Sequence, residues 1–305
     1  MKVAALAGGV GGAKLLVGLQ RALAPGELTA VVNTGDDAEV YGVRVSPDVD
    51  IVTYWLAGVA DTERGWGLRN DTFTVVETLR SLGMEAWFGL GDRDLATCIL
   101  RTQRLRAGLT LSAATDEIRT ALGIPTIVLP MTDADVRTKV AVADGRVLDF
   151  QEYFVKERHR PRVREVYFTG IEDAKPAPGV IESIEQAEVV AVCPSNPLLS
   201  IGPILALTGV REALRRHPRV VAVSPIVRGA ALKGPADSML ADLGHGATAA
   251  GVAGLYADFC DIFAVDSSDG DQVEAVLRAG PRPLATDTIM DDAEASERLA
   301  RVLLG

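Results

Sequence analysis

Short, mostly apolar runs alternate along this chain with longer stretches of helical periodicity. Val3-Ala4-Ala5-Leu6-Ala7 is the first such run, and LTAVVN (28–33) is a second that ends in polar residues. PTIVLP (125–130), EVVAVCP (188–194), RVVAVSP (219–225) and DIFAVD (261–266) follow. Continuous apolar character, rather than alternation, predicts strands covered on both faces. Amphipathic stretches at about 12–23, 94–107, 113–122, 210–217 and 247–258 predict helices between them. The pattern implies β-α-β units and a Rossmann-like three-layer α/β core around a parallel sheet, with binding loops at the strand carboxyl ends.

Residues 131–187 break this rhythm. KVAVADGRVLDF (139–150) and RVREVYF (162–168) carry short alternating runs, Asp144-Gly145 is a turn signal, and Pro176 and Pro178 mark a bend. This segment predicts a smaller, partly antiparallel inserted α+β subdomain or lid, set between core segments 1–130 and 188–305.

Charge and cysteine usage narrow the chemistry. A chain of 305 residues that is 48% hydrophobic can bury a substantial core, and a formal net charge of −10 excludes a broad nucleic-acid-binding face. Any phosphate site must therefore be local. Cys98, Cys193 and Cys260 show no paired spacing, and His159, His217 and His245 are far apart in sequence. That predicts a reduced, cytoplasmic protein without disulfides, zinc knuckle or histidine-rich metal site. No leader or membrane-length apolar stretch is visible, so neither export nor a membrane partner is expected.

The first apolar run feeds directly into Gly8, Gly9, Gly11 and Gly12 and then a helix carrying Lys14. Glycines let a ligand approach backbone amides, and a helix start favours anions. A dinucleotide fingerprint fails because Lys14 stands at the third glycine position and the second strand ends in Asn33-Thr34-Gly35 rather than a lone acid. A kinase-type phosphate loop fails because Ala13-Lys14-Leu15 has no hydroxyl for magnesium.

Asp36, Asp37, Asp48 and Asp50 are read as clustered in loops after the second strand, a donor set suited to a hard cation such as magnesium. WGLRNDTF (66–73) offers an aromatic, an amide and a carboxylate, either to cap a helix or to hold a flat heterocycle. Gly91-Asp92-Arg93-Asp94 reads as a strand-to-helix junction, and CPSNPLLSIGPIL (193–205) as a stiff turn rich in hydroxyls and amides. SPIVRGAALKGPA (224–236) adds Arg228 and Lys233, both suited to an anion.

With these stretches in order, the chain resembles the 2-phospho-L-lactate transferase (CofD/FbiA) family of coenzyme F420 biosynthesis. GGVGGAKLLVGL, VVNTGDD, SPDVD, NDTF, LGDRDLAT, PSNPLLSIGPI and VSPIV carry the resemblance through most of the chain. It implies a magnesium-dependent transfer of a phospho-organic acid group, phosphoenolpyruvyl or 2-phospho-L-lactyl, from a guanosine diphospho-linked donor. The acceptor is the ribityl hydroxyl of the deazaflavin Fo (7,8-didemethyl-8-hydroxy-5-deazariboflavin), and GMP leaves.

The resemblance also assigns roles. Gly9, Gly11, Gly12, Lys14 and Thr34, with Ser195, Asn196 and Ser200, would bind the donor. Asp36, Asp37 and Asp50 would hold magnesium, and Asp50 and Lys14 would act in catalysis. Asp50, Asn70, Asp71, Thr72, Asp92 and Arg93 would meet the acceptor. Histidine is usual in the family where Cys98 stands, and some relatives carry a basic residue in place of Gly89. A competing expectation is a regulatory nucleotide-sugar-binding protein of the YvcK-like sibling group, whose Asp-Asp loop runs on into Gly-Gly-Ser-Ser-Gly rather than Ala38-Glu39-Val40-Tyr41-Gly42. The apolar stretch 293–304 suits either core packing, which is preferred, or a contact between two copies in a homodimer.

Overall fold

Seven strands form one sheet in the computed structural model, which describes residues 1–305. They are β1 (Val3–Ala7), β2 (Leu28–Val32), β3 (Ile127–Pro130), β4 (Val189–Val192), β5 (Val220–Val223), β6 (Ile262–Asp266) and β7 (Arg282–Thr286). Their spatial order is β7-β6-β5-β4-β1-β2-β3, and every neighbouring pair is parallel.

Alternate side chains of the same strands enter two separate cores. Ala4, Leu6, Val190, Val192, Ala222 and Phe263 join one, while Val3, Ala5, Ala7, Val189, Ala191 and Val221 join the other. Because successive strand residues point to opposite faces, this split is the signature of a sheet covered on both sides. The second core is completed by helices α1 (Gly9–Ala22), α2 (Pro47–Leu56) and, after α3 (Asp92–Arg106), the last helix α4 (Ala293–Leu304). Helix α4 lies on α1, so closely that a Cβ on Gly18 would meet the Ser296 carbonyl oxygen at 2.1 Å. Its apolar face, Leu299, Ala300, Leu303 and Leu304, is core, as the preferred expectation held.

Strand order reverses around β1, between β2 and β4. A crevice opens there at the carboxyl ends of the strands, the usual place for a ligand in this architecture.

Two local expectations differ from the structure. Strand β7 escapes apolar pattern reading because Arg282-Pro283-Leu284-Ala285-Thr286 is an edge strand, largely half-exposed or exposed. No strand precedes Gly91; the chain there is irregular until α3 begins at Asp92.

Residues 131–187 contain the antiparallel sheet anticipated for them. Arg137–Val142 lies between Val147–Asp149 and Val163–Thr169, with Gly145 at φ +94° in the turn. Val140, Val142, Leu148 and Val163 pack with Leu199 and Met239 of the flanking chain. The Thr138 amide donates to the Gly35 carbonyl at 2.6 Å, tying this sheet to the Asp36 loop.

Candidate active site

A cleft of about 750 Å³ occupies the crevice. The turns after β1, β4, β5 and β7, the Asp36 loop and the first turns of α2 and α3 line it. The inserted segment contributes Phe150, Gln151 and Phe154.

The glycine turn is filled by protein before any ligand reaches it. The Gly8 amide donates to the Ser195 hydroxyl at 3.0 Å, which donates in turn to the Gly8 carbonyl at 2.7 Å. The Gly9 amide donates to Asp48 Oδ1 at 2.7 Å. A Cβ on Gly8 would stand 2.3 Å from Asp48 Oδ2, one on Gly11 2.3 Å from the Pro194 carbonyl oxygen, and one on Gly12 2.6 Å from Ser195 Oγ. These glycines therefore let the 194–200 turn and Asp48 close against the start of α1. Gly9, Gly11 and Lys14 still line the cleft, whereas Gly12 lies beneath Ser195 and does not. Lys14 Nζ donates to the Met290 carbonyl at 2.6 Å, and burial pulls its ammonium below the usual lysine range.

Four buried carboxylates, Asp36, Asp48, Asp50 and Asp94, face this cleft. Asp48 and Asp50 stand on the first turn of α2 rather than in a loop, following Pro47 at the helix start. Asn33 Nδ2 donates to Asp48 Oδ2 at 2.9 Å and, more weakly, to Asp36 Oδ1 at 3.3 Å. Gln151 Nε2 reaches the Asp36 carbonyl oxygen at 3.3 Å. Burial raises both acids, Asp48 to about 6, and for Asp36 the Asp48 charge adds to it. Asp37, one of the three magnesium ligands the resemblance implies, turns away from the cleft. It accepts from Ser46 Oγ at 2.7 Å and pairs with Arg44 at 3.2 Å, because its side chain points under the Ala38–Val45 hairpin. Thr34 is likewise buried outside the cleft.

Asp50 is held from behind. Both of its oxygens accept from the guanidinium of Arg101, a residue of α3 with no visible signal in the sequence beyond its helical position. Burial pushes the Asp50 carboxyl up, and Arg101 pulls it back down. Asp94 accepts from the Tyr54 hydroxyl at 2.8 Å and is pushed up to about 7 by burial and by the neighbouring Asp50 charge. Cys98 lies against this pair, fully buried, its thiol driven well above the ordinary range by burial.

The predicted acceptor residues divide differently. Asp71 accepts from the amides of Arg93 at 2.9 Å and Asp94 at 3.1 Å, capping α3. Asp92 accepts from the Thr72 hydroxyl at 2.6 Å and from the amides of Thr74 and Val75, capping the helix Thr74–Ser81. Asn70 sits at φ +57° in the turn just before Asp71. Asp71, Thr72, Asp92 and Arg93 thus form a reciprocal capping knot. Asp50 alone of the predicted acceptor set lines the cleft. The aromatic wall comes instead from Trp66, Phe88, Phe150 and Phe154. Ser195, Asn196 and Ser200 also line the cleft, with Asn196 Oδ1 accepting the Leu198 and Leu199 amides to stiffen the turn.

The sequence profile of the family described as 2-phospho-L-lactate transferase CofD matches residues 3–303. The chain belongs to the CofD family. It is 44% identical to a phosphoenolpyruvate transferase of Streptomyces griseus, over 100% of this chain and 98% of that one. It is 40% identical to a 2-phospho-L-lactate transferase of Methanosarcina mazei, over 97% of each. A crystal structure of a UPF0052-family protein from Bacillus halodurans shares the fold, with a TM-score of 0.69 at 18% identity, covering 100% of this chain and 98% of that one. As a CofD-family member the protein is a transferase, and its cleft at the sheet's reversal point is the candidate active site. No helix is long and apolar enough to cross a membrane.

Proposed function

We propose that this CofD transferase moves a phosphoenolpyruvyl or 2-phospho-L-lactyl group from a guanosine diphospho-linked donor to the ribityl hydroxyl of Fo, releasing GMP, in coenzyme F420 biosynthesis. One observation carries the reading. A single cleft presents a wall of buried carboxylates, a glycine turn with Lys14, and an aromatic wall fit for a flat heterocycle.

Magnesium would be held by carboxylates that line the cleft, with one change in the expected ligands. Asp36, Asp48 and Asp50 offer hard oxygen donors to the cleft, and Asp37 does not. Burial raises both Asp36 and Asp48, Asp36 further through the Asp48 charge, and a cation would offset that cost. Bound magnesium would neutralise charge on the donor diphosphate and so improve GMP as a leaving group. Lys14 would offset the same charge from the helix side.

Asp50, aligned by Arg101, would accept the proton of the attacking hydroxyl as its oxygen bonds to phosphorus and the bond to GMP oxygen breaks. Ser195, Asn196 and Ser200 would hold the donor, and the ring of the acceptor would lie against Trp66 and Phe88. Positioning supplies most of the rate, since phosphoryl transfer needs little covalent help from the protein.

The test is a donor panel of phospholactyl, enolpyruvyl and phosphoglyceryl guanosine diphosphates mixed with Fo, magnesium and the protein. GMP release with a matching mass gain on Fo is expected for at least one donor. Silence with all three overturns the proposal.

A further inference from the structure

Between β5 and the helix Ala236–Asp242 the chain makes a small hairpin, Ile226–Val227 against Ala230–Ala231. Arg228 and Gly229 turn it with positive φ, +52° and +75°. It is fixed at its turn and at its base. The Arg228 amide donates to both oxygens of buried Asp269, at 2.9 and 2.8 Å, and the Ile226 amide donates to the Ser224 hydroxyl at 3.1 Å. Leu232 and Lys233, which follow, are exposed yet line the mouth of the cleft.

The exposed Lys233 side chain leans across the cleft mouth. Its Nζ rests over Gly65, where a Cβ would stand only 2.6 Å away, and that same Cβ would be 3.1 Å from Val10 Cγ2 at the start of α1. The ammonium therefore bridges the cleft from the hairpin to the 61–67 turn and ends beside the glycine turn. Lys2, Lys14, Lys139 and Lys156 each reach an oxygen acceptor in the protein, Lys175 and Lys233 reach none, and of these two only Lys233 lines the cleft. Its charge adds to the burial that depresses the Lys14 ammonium, which Asp291 partly offsets, so two cations share one end of the cleft. Such an arrangement is relieved by an incoming anion.

We propose that Lys233 is a donor-binding residue, whose ammonium, held over the cleft mouth, donates hydrogen bonds to an oxyanion of the donor beside the first turn of α1. The inference rests on the transferase reading for the identity of that donor. Two groups offer the chemistry, the diphosphate and the carboxylate of the transferred acid, and ligands that contain one or both separate them.

Lys233→Met keeps the aliphatic stem and removes the charge. Lys175→Met, at an exposed lysine remote from the cleft, controls for net charge, and Lys233→Arg tests rescue. GDP and inorganic pyrophosphate are titrated calorimetrically with magnesium, and KM is measured for the intact donor. Weakening of GDP, pyrophosphate and donor by about tenfold in Lys233→Met alone, restored in part by Lys233→Arg, assigns the contact to the diphosphate. A tenfold rise in donor KM with GDP unchanged assigns it to the acid carboxylate. Equal affinities for all three ligands in Lys233→Met and wild type overturn the inference and leave the transferase reading intact. Wild-type protein that binds pyrophosphate through Lys233 but not GDP or donor would preserve the anion site and remove the guanosine reading. Wild type that binds none of them overturns both.

Discussion

Arg101 directs two guanidinium nitrogens at the two carboxylate oxygens of Asp50, with side-chain exposures of only 1% and 7%. A buried pair of this kind adds little net stability over an apolar one, but losing a single partner strands a charge. Arg101→Met is therefore expected to lower unfolding free energy by about 3–5 kcal/mol in denaturant titrations. The double variant with Asp50→Asn should lose much less than the sum of the two single losses. Additive losses would show that the two residues are not coupled.

Stability should fall as pH rises through the acid range. Burial lifts Asp37 and Asp48 to about 6 and Asp94 to about 7, from an ordinary value of 3.8. The folded chain then holds more protons than the unfolded chain between those limits, so unfolding becomes easier with each pH increment. In EDTA the melting temperature should drop from about pH 4 to pH 7 and level off above. Magnesium should recover most of the loss at pH 7.5. A melting temperature that climbs steadily over this range in EDTA contradicts the assignment.

Asp48 and Asp37 are two acids close in sequence with opposite surroundings, one on the cleft and one paired with Arg44 beneath a hairpin. Manganese binding followed by electron paramagnetic resonance should weaken at least about tenfold in Asp48→Asn, since each lost carboxylate removes a hard anionic ligand. Asp37→Asn should leave it within about threefold. The reverse ranking would restore the ligand set expected from the sequence.

Asp71 and Asp92 act as helix caps, and their replacement should be felt in folding more than in acceptor binding. Asp71→Ala and Asp92→Ala should each cost about 1 kcal/mol in denaturant titrations. The acceptor KM should stay within about twofold. A tenfold rise in that KM with unchanged stability would return these residues to the substrate.

The sheet was legible because six of its seven strands are short, predominantly apolar runs, a pattern that two-sided burial favours. Strand β7 was not, since an edge needs no such run. At the site, chemistry-bearing types were easier to find than their orientations. Asp48 and Asp50 were visible as acids, but whether Asp37 or Asp48 faces the cleft depends on the Ala38–Val45 hairpin and on Pro47 starting a helix. The glycines pointed to close approach correctly, while the approaching atoms are those of Pro194, Ser195 and Asp48. Arg101, Gln151 and Phe154 reach the site from segments distant in sequence, so local pattern could not announce them.

Gly18 gives the order of synthesis a structural meaning. The groove it leaves on α1 is filled by the backbone of Ser296, nearly the whole chain away. Until that late segment emerges from the ribosome, the helix bearing Lys14 lacks its outer cover, and a nascent chain stalled before it would show an apolar face to chaperones.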